Sequence, residues 1–166
     1  DATRTLGIVD GVSIYQVVVN VTVNAGVTLT IEPGVTVKKS NTSSARTIYV
    51  SGTLSASGVT FGGGDYYAET FRVYAQSGGR LDLTGCAMTG VTIQVSYQAG
   101  STGTVLGSKM HKLLIDSGAS VLAVDNDLSL GSVQASGNSS AVINLANNWW
   151  GTTIPATIES KIYHHA

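Results

Sequence analysis

Apolar and polar residues alternate along this chain in short β-branched stretches, each closed by a turn of small residues and followed by another apolar stretch. Period-two alternation of this kind predicts strands with one buried face, and the period of an amphipathic helix is nearly absent. Written as strand, glycine turn, strand, the units read Val19-Thr-Val-Thr-Val-Asn-Ala-Gly26-Val-Thr-Leu-Thr-Ile31, Ile48-Tyr-Val-Ser-Gly52-Thr-Leu-Ser-Ala-Ser-Gly-Val-Thr-Phe61 and Phe71-Arg-Val-Tyr-Ala-Gln-Ser-Gly78-Gly-Arg-Leu-Asp-Leu83. Three more follow: Ile93 to Gly100 leading to Leu106, Leu113 to Gly118 leading to Val124, and Val133 to Gly137 leading to Leu145.

The turn glycines at 26, 52, 78, 100, 118 and 137 are 18 to 26 residues apart. A solenoid coil of two or three short strands has that length, whereas a β-sandwich turns about every 8 to 12 residues. One coil cannot bury its inward face, but stacked coils set like residues above like and build a continuous apolar column. The pattern therefore predicts an all-β chain, a right-handed parallel β-helix of about six coils in one domain. Residues 1–16 are expected as an N-terminal cap or lead-in, 17–146 as the coils and 147–166 as a C-terminal cap. Leu29, Leu54, Leu81 and Leu122 are expected to form one inward row. Insertions at 40–45 and 62–70 should leave the coil as loops.

Two segments carry a resemblance. Ala25-Gly-Val-Thr-Leu-Thr-Ile-Glu-Pro-Gly-Val-Thr-Val37 and the stretch Asn147-Asn-Trp-Trp-Gly151 to His165 are similar to the opening and closing coils of right-handed parallel β-helix repeat proteins of the pectin-lyase-like superfamily, bacterial secreted or surface type. The resemblance implies that Asn-Trp-Trp-Gly marks the exit from the last coil and that a short helix then folds over the end of the stack. Ile154, Ile158 and Ile162 recur every four residues, as an amphipathic cap helix requires, with Pro155 in its first turn. The family continues past Lys-Ile-Tyr with an acidic stretch and another strand, so an end at Ala166 predicts a cap that is abbreviated or completed by another segment.

Composition narrows the surroundings. Charged residues are 11% of the chain and the net charge is −1, so small neutral polar groups must cover the surface. No basic stripe is present to neutralise phosphates, and nucleic-acid binding is not expected. No apolar run approaches the length that crosses a bilayer, so no membrane insertion is expected. Cys86, the one cysteine, cannot form an intramolecular disulfide and is expected as a buried small hydrophobe. A start at Asp1 without a leader suits a mature form whose signal peptide has been removed, and equally a trimmed chain; the localisation expected is secreted or cell surface.

Candidate chemistry is sparse. The insertion Gly-Gly-Gly-Asp65-Tyr66-Tyr67-Ala-Glu69-Thr70 offers two aromatic faces beside two carboxylates, a composition suited to stacking on a sugar ring and bonding its hydroxyls; a loop folded over the sheet is the plainer reading. Asp125-Asn126-Asp127 places two carboxylates at i, i+2, which on a strand would share one face. That makes it a candidate calcium site without the glycine and distal glutamate of an EF-hand; a polar turn held by an Asx hydrogen bond is the plainer reading. Asp82 and Asp116 could align with Asp125 along the rod. His111 and the His164-His165 pair have no partner at metal-site spacing, and no catalytic residue, metal or other cofactor is assigned.

Three functions are consistent with these features. A noncatalytic structural or adhesive module of an extracellular assembly fits the low charge and regular stacking, with self-association through the stack ends, where Leu6, Ile8 and Val9 are the apolar residues available at the first. A carbohydrate-binding or polysaccharide-degrading module fits Tyr66, Tyr67, Tyr74 and Tyr97. An ice-binding solenoid needs a repeated Thr-x-Thr ladder, and Thr28-Leu-Thr30 has no evident repeat in the next units.

Overall fold

The computed structural model describes residues 2–40, 44–62, 70–90, 93–136 and 142–164. The chain winds as a parallel β-solenoid. Its first pass contains β1 (Ala2–Leu6), β2 (Ile14–Val17) and β3 (Val21–Val23); the second, β4 (Val27–Ile31), β5 (Thr36–Lys39) and β6 (Arg46–Val50). The third has β7 (Thr53–Ser57), β8 (Thr60–Gly62) and β9 (Phe71–Ala75), and the fourth β10 (Arg80–Thr84), β11 (Ala87–Thr89) and β12 (Ile93–Tyr97). Later passes contain β13 (Thr102–Leu106), β14 (Lys112–Asp116), β15 (Ser120–Val124), β16 (Ser132–Ser136) and β17 (Val142–Asn144), then the helix α1 (Pro155–Glu159) and β18 (Ile162–His164).

These strands stack into three sheets. The first runs β1-β4-β7-β10-β13-β15-β17 and the third β3-β6-β9-β12-β14-β16-β18. The second, β2-β5-β8-β11, continues through single-residue bridges from Ala87 to Lys109, Asp127 and Trp149. Strand Ala2–Leu6 pairs with β4 in full register, so the part expected as a cap or lead-in already forms a pass of the stack.

Inside, like packs on like. Ile31, Ala56, Leu83, Val105 and Ala123 make one inward row of the first sheet, and Ile48, Val73, Val95, Leu113 and Val133 one of the third. The expected leucine row holds for Leu29, Leu54 and Leu81, but it continues through Gly103 and Val121. Leu122 faces outward and is 38% exposed. The reason is phase: the left-handed turn residues Gly26, Gly78, Gly100 and Gly118 each precede the inward position by three residues, which selects Val121. Gly52 serves differently, because its φ is not positive and a side chain there would meet the carbonyl oxygens of Asn24 and Val27.

Gly103 interrupts the row for the sake of Tyr97. That ring points into the core, wholly buried, and its hydroxyl donates to the Leu81 carbonyl at 2.9 Å. Burial pushes the phenol well above its ordinary pKa. A Cβ on Gly103 would meet the Leu81 oxygen and lie 2.7 Å from the Tyr97 ring.

The opposite corner is a polar column. Gly58, Gly85, Gly107, Asp125 and Asn147 all adopt the left-handed conformation, each placing the next residue, Val59, Cys86, Ser108, Asn126 or Asn148, toward the interior. The last four are hydrogen-bonded in series: Cys86 N–H donates to Ser108 Oγ, Ser108 N–H to Asn126 Oδ1 and Asn126 N–H to Asn148 Oδ1. Asn126 Nδ2 donates to Val105 O, and Asn148 Nδ2 to Ala123 O and Leu145 O. Cys86 is buried, as expected, and burial raises its thiol pKa.

The C-terminal helix is a single turn. Pro155 stands at its start, where its missing N–H costs nothing, and Ile158 packs on the core. Ile154 is exposed, and Ile162 lies in β18 opposite Val133. The four-residue spacing therefore spans a turn of helix and its return to the third sheet. Lys161 fixes that return, its Nζ donating to Ser129 O at 2.6 Å and Trp150 O at 2.7 Å.

Gly103→Ala is expected to lower stability by about 1–3 kcal/mol through overpacking. Urea denaturation measures it, and an unchanged midpoint would refute the packing of Tyr97 against Gly103.

Candidate functional site

A solenoid turns residues some twenty apart in sequence into neighbours, so a site on it is a face. On the third sheet the outward file next to the Ile48 row contains Thr22, Tyr49, Tyr74, Ser96, Leu114, Gln134 and Tyr163. Alternation on β6 and β9 sends Tyr49 and Tyr74 to the same side, and their rings meet edge to face with centroids 6.1 Å apart and planes at 72°. The adjoining file contains Thr47, Arg72, Gln94, Lys112 and Ser132. Arg72 Nε donates to Gln94 Oε1 at 3.3 Å, which holds the guanidinium against the sheet.

This face also has an electrostatic signature. Tyr74 has its pKa raised, first by desolvation and then by the Asp116 carboxylate, while Arg72 opposes the shift. Asp116 accepts from Ser136 Oγ at 3.0 Å. Toward the C-terminal end of the face, Lys112, Ser132, Gln134 and Tyr163 line a shallow depression of about 260 Å³. Aromatic rings, amides, a guanidinium and an ammonium thus occur together on one outward, half-buried surface, the inventory that stacks on and hydrogen-bonds a polar ring.

The sequence-predicted residues are dispersed. Tyr74 belongs to this face, whereas Tyr97 is in the core. Asp65, Tyr66, Tyr67 and Glu69 lie outside the described residues, as does His165. Asp125 and Asp127 do not share a strand face: Asp125 is the left-handed corner residue, Asn126 is buried between them, and Asp127 lies on the second side, bridged to Lys109 and Trp149. Among the described residues no group of three His, Cys, Asp or Glu side chains converges. Asp82 lies on the first sheet and Asp116 on the third, so they do not align with Asp125. Sequence reasoning missed Tyr49, Arg72, Gln94, Lys112, Gln134 and Tyr163. Superposing Ile48-Tyr49-Val50 on Val73-Tyr74-Ala75 would have found the first.

The first sheet corrects a further expectation. Its outward files are Thr3, Thr28, Thr53, Arg80, Thr102, Ser120 and Thr5, Thr30, Ser55, Asp82, Thr104, Leu122. Thr-x-Thr pairs do recur in successive passes, with Ser55 replacing one threonine in the third. The array is then broken in the middle by the Arg80–Asp82 ion pair, whose carboxylate also accepts from Thr104 Oγ1.

No family model, curated protein or solved structure matches this chain.

Asp127 makes a pH-dependent contribution. Its carboxyl is held below the usual range, first by the Ser129 hydroxyl and then by the Ser129 N–H, with Lys109 3.7 Å away adding to the effect. A depressed folded pKa contributes stability above the unfolded value, and that contribution is lost as pH falls through the folded value. Asp127→Asn should therefore lower the thermal midpoint at pH 7, and the gap from the parent chain should narrow below about pH 4. A gap independent of pH would contradict this account.

Proposed function

We propose that this chain is a noncatalytic structural or adhesive module of a bacterial, secreted or cell-surface protein, and that it belongs to the pectin-lyase-like superfamily. The superfamily reading is supported by the Asn-Trp-Trp-Gly stretch, where Asn147 makes the last corner, Asn148 ends the polar column and Trp150 is buried. The noncatalytic reading rests on one observation among the described residues: three acids in the later passes, Asp82, Asp116 and Asp127, lie on three different sides, each engaged by a neighbour. Asp82 binds Arg80 and Thr104, Asp116 binds Ser136, and Asp127 binds Ser129. Polysaccharide cleavage by paired acids requires two carboxyls facing each other across the scissile bond. Incubation with a panel of neutral and uronic-acid polysaccharides is expected to release no product. Depolymerisation that disappears on Asp82→Ala, Asp116→Ala or Asp127→Ala would overturn the proposal.

A second reading, carbohydrate binding, is favoured by the Tyr49–Tyr74 pair beside Arg72 and Gln94. On a glycan array, the Tyr49→Ala/Tyr74→Ala double variant should lose at least tenfold in affinity for any glycan the parent retains. A Tyr66→Ala/Tyr67→Ala variant separates the sheet from the insertion. Binding unchanged by the first variant and lost in the second would move the site to the insertion.

A further inference from the structure

The two ends of the stack differ in kind. At the last pass α1 lies over the column, Ile158 and Ile162 pack on the core, Trp150 is buried and Lys161 ties the return to Ser129 and Trp150. Thr157, Glu159 and Ser160 are exposed there. At the first pass no helix covers the column among the described residues. An apolar groove of about 210 Å³ opens instead, with Leu6, Tyr15, Val19, Val21, Leu29 and Ile31 in its walls.

Around this groove the first pass exposes aliphatic side chains. Val18 is 56% and Val19 65% exposed, and Ile14 is likewise more than half exposed. Before them Val9-Asp10-Gly11-Val12 forms a two-residue hairpin, both central residues left-handed, which displays Ile8, Val9 and Val12. Seven of the twelve exposed large hydrophobic residues among those described, Ile8, Val9, Val12, Ile14, Val18, Val19 and Val21, thus belong to this one pass, a concentration that marks an interaction surface. The free edges of β1, β2 and β3, each paired on one side only, enlarge the area and add hydrogen-bonding groups that favour pairing with another chain.

We infer that the first-pass ends of two copies pack against each other in a closed two-fold dimer. Charge permits it: among the described residues of the first pass only Arg4 and Asp10 are charged, with opposite signs, so two such ends meet without net repulsion. A head-to-tail contact would set Glu159 and Ser160 against the apolar groove, a desolvation that like-on-like contact avoids. Contact between identical patches is isologous and closes at two copies, whereas a head-to-tail contact propagates. The assembly concerns the end of the stack and goes beyond the reading of the third sheet, on which it does not depend.

Light scattering and sedimentation of the full chain across a concentration series test the inference. The expected result is a species of twice 17.1 kDa with nothing larger. Val19→Glu and, separately, Val9→Lys should each weaken association at least tenfold while leaving the circular dichroism and unfolding midpoint of the parent, because both side chains project into solvent in the single copy. Orientation is read by engineered cysteines, since Cys86 is buried and free. Val18→Cys alone should oxidise to a covalent dimer and Tyr163→Cys alone should not. A strict monomer at every concentration overturns the inference and assigns the groove to another segment or partner. Growing oligomers that cross-link only when the Val18→Cys and Tyr163→Cys chains are mixed overturn it in favour of head-to-tail stacking.

Discussion

Register, held in three sheets at once, is the constraint on which everything else in this molecule rests. Each strand pairs with the strands one pass before and one pass after, so the inward rows exist only while all pairs keep phase. A slip of one residue in any sheet would turn that pass inside out, and the slip would be handed on to the next sheet around the corner. The corners prevent this. Left-handed residues at Gly58, Gly85, Gly107, Asp125 and Asn147 end the first-sheet strands at the same phase, and the bonded series from Cys86 to Asn148 clamps that phase from inside. Without the clamp, Ser108 and Asn126 would be buried polar groups lacking partners, at a cost of about 1–3 kcal/mol each.

The class of fold was legible in the alternation because burial on one face demands it and the turn glycines repeat. The phase of individual strands was less legible. Leu122 is a better core residue than Val121 by composition alone, yet the three-residue offset from the left-handed Gly118 decides between them. Tyr97 reads as a surface aromatic on its size and hydroxyl alone; the alternation Ile93-Gln-Val95-Ser-Tyr97 turns it inward, and the room it needs is made by Gly103, on a different sheet. For Asp125-Asn126-Asp127 the plainer reading, a polar turn with an Asx hydrogen bond, is the one seen, since Asp127 Oδ1 accepts from Ser129 N–H; the shared carboxylate face is lost because the corner conformation at Asp125 separates the two acids. The spacing of Ile154, Ile158 and Ile162 suggested a longer helix, but β18 completes the third sheet at Ile162.

Faces were less legible still, for a geometric reason. Tyr49 and Tyr74 touch across twenty-five positions of sequence, and Thr28 and Thr53 stack across the same separation. A surface of this type has no local motif. It appears only when the register of every pass is known, so Arg72, Gln94 and Lys112 escape notice as isolated polar residues in separate strands. Acids that looked alignable by spacing, Asp82, Asp116 and Asp125, prove to lie on different sides once the coil is wound.

The polar corner column also gives the rod a mechanical polarity. Strands lie across the long axis and their hydrogen bonds run along it, so tension between the ends loads the ladders of one pass at a time and peels rather than shears. Peeling meets side-chain cross-links in the passes joined by Cys86, Ser108, Asn126 and Asn148, and at the Lys161 strap. The early passes have Val59 at that corner. Under load, grip at this corner is thus carried by side chains in the later passes and by the backbone ladder of the second sheet in the earlier ones.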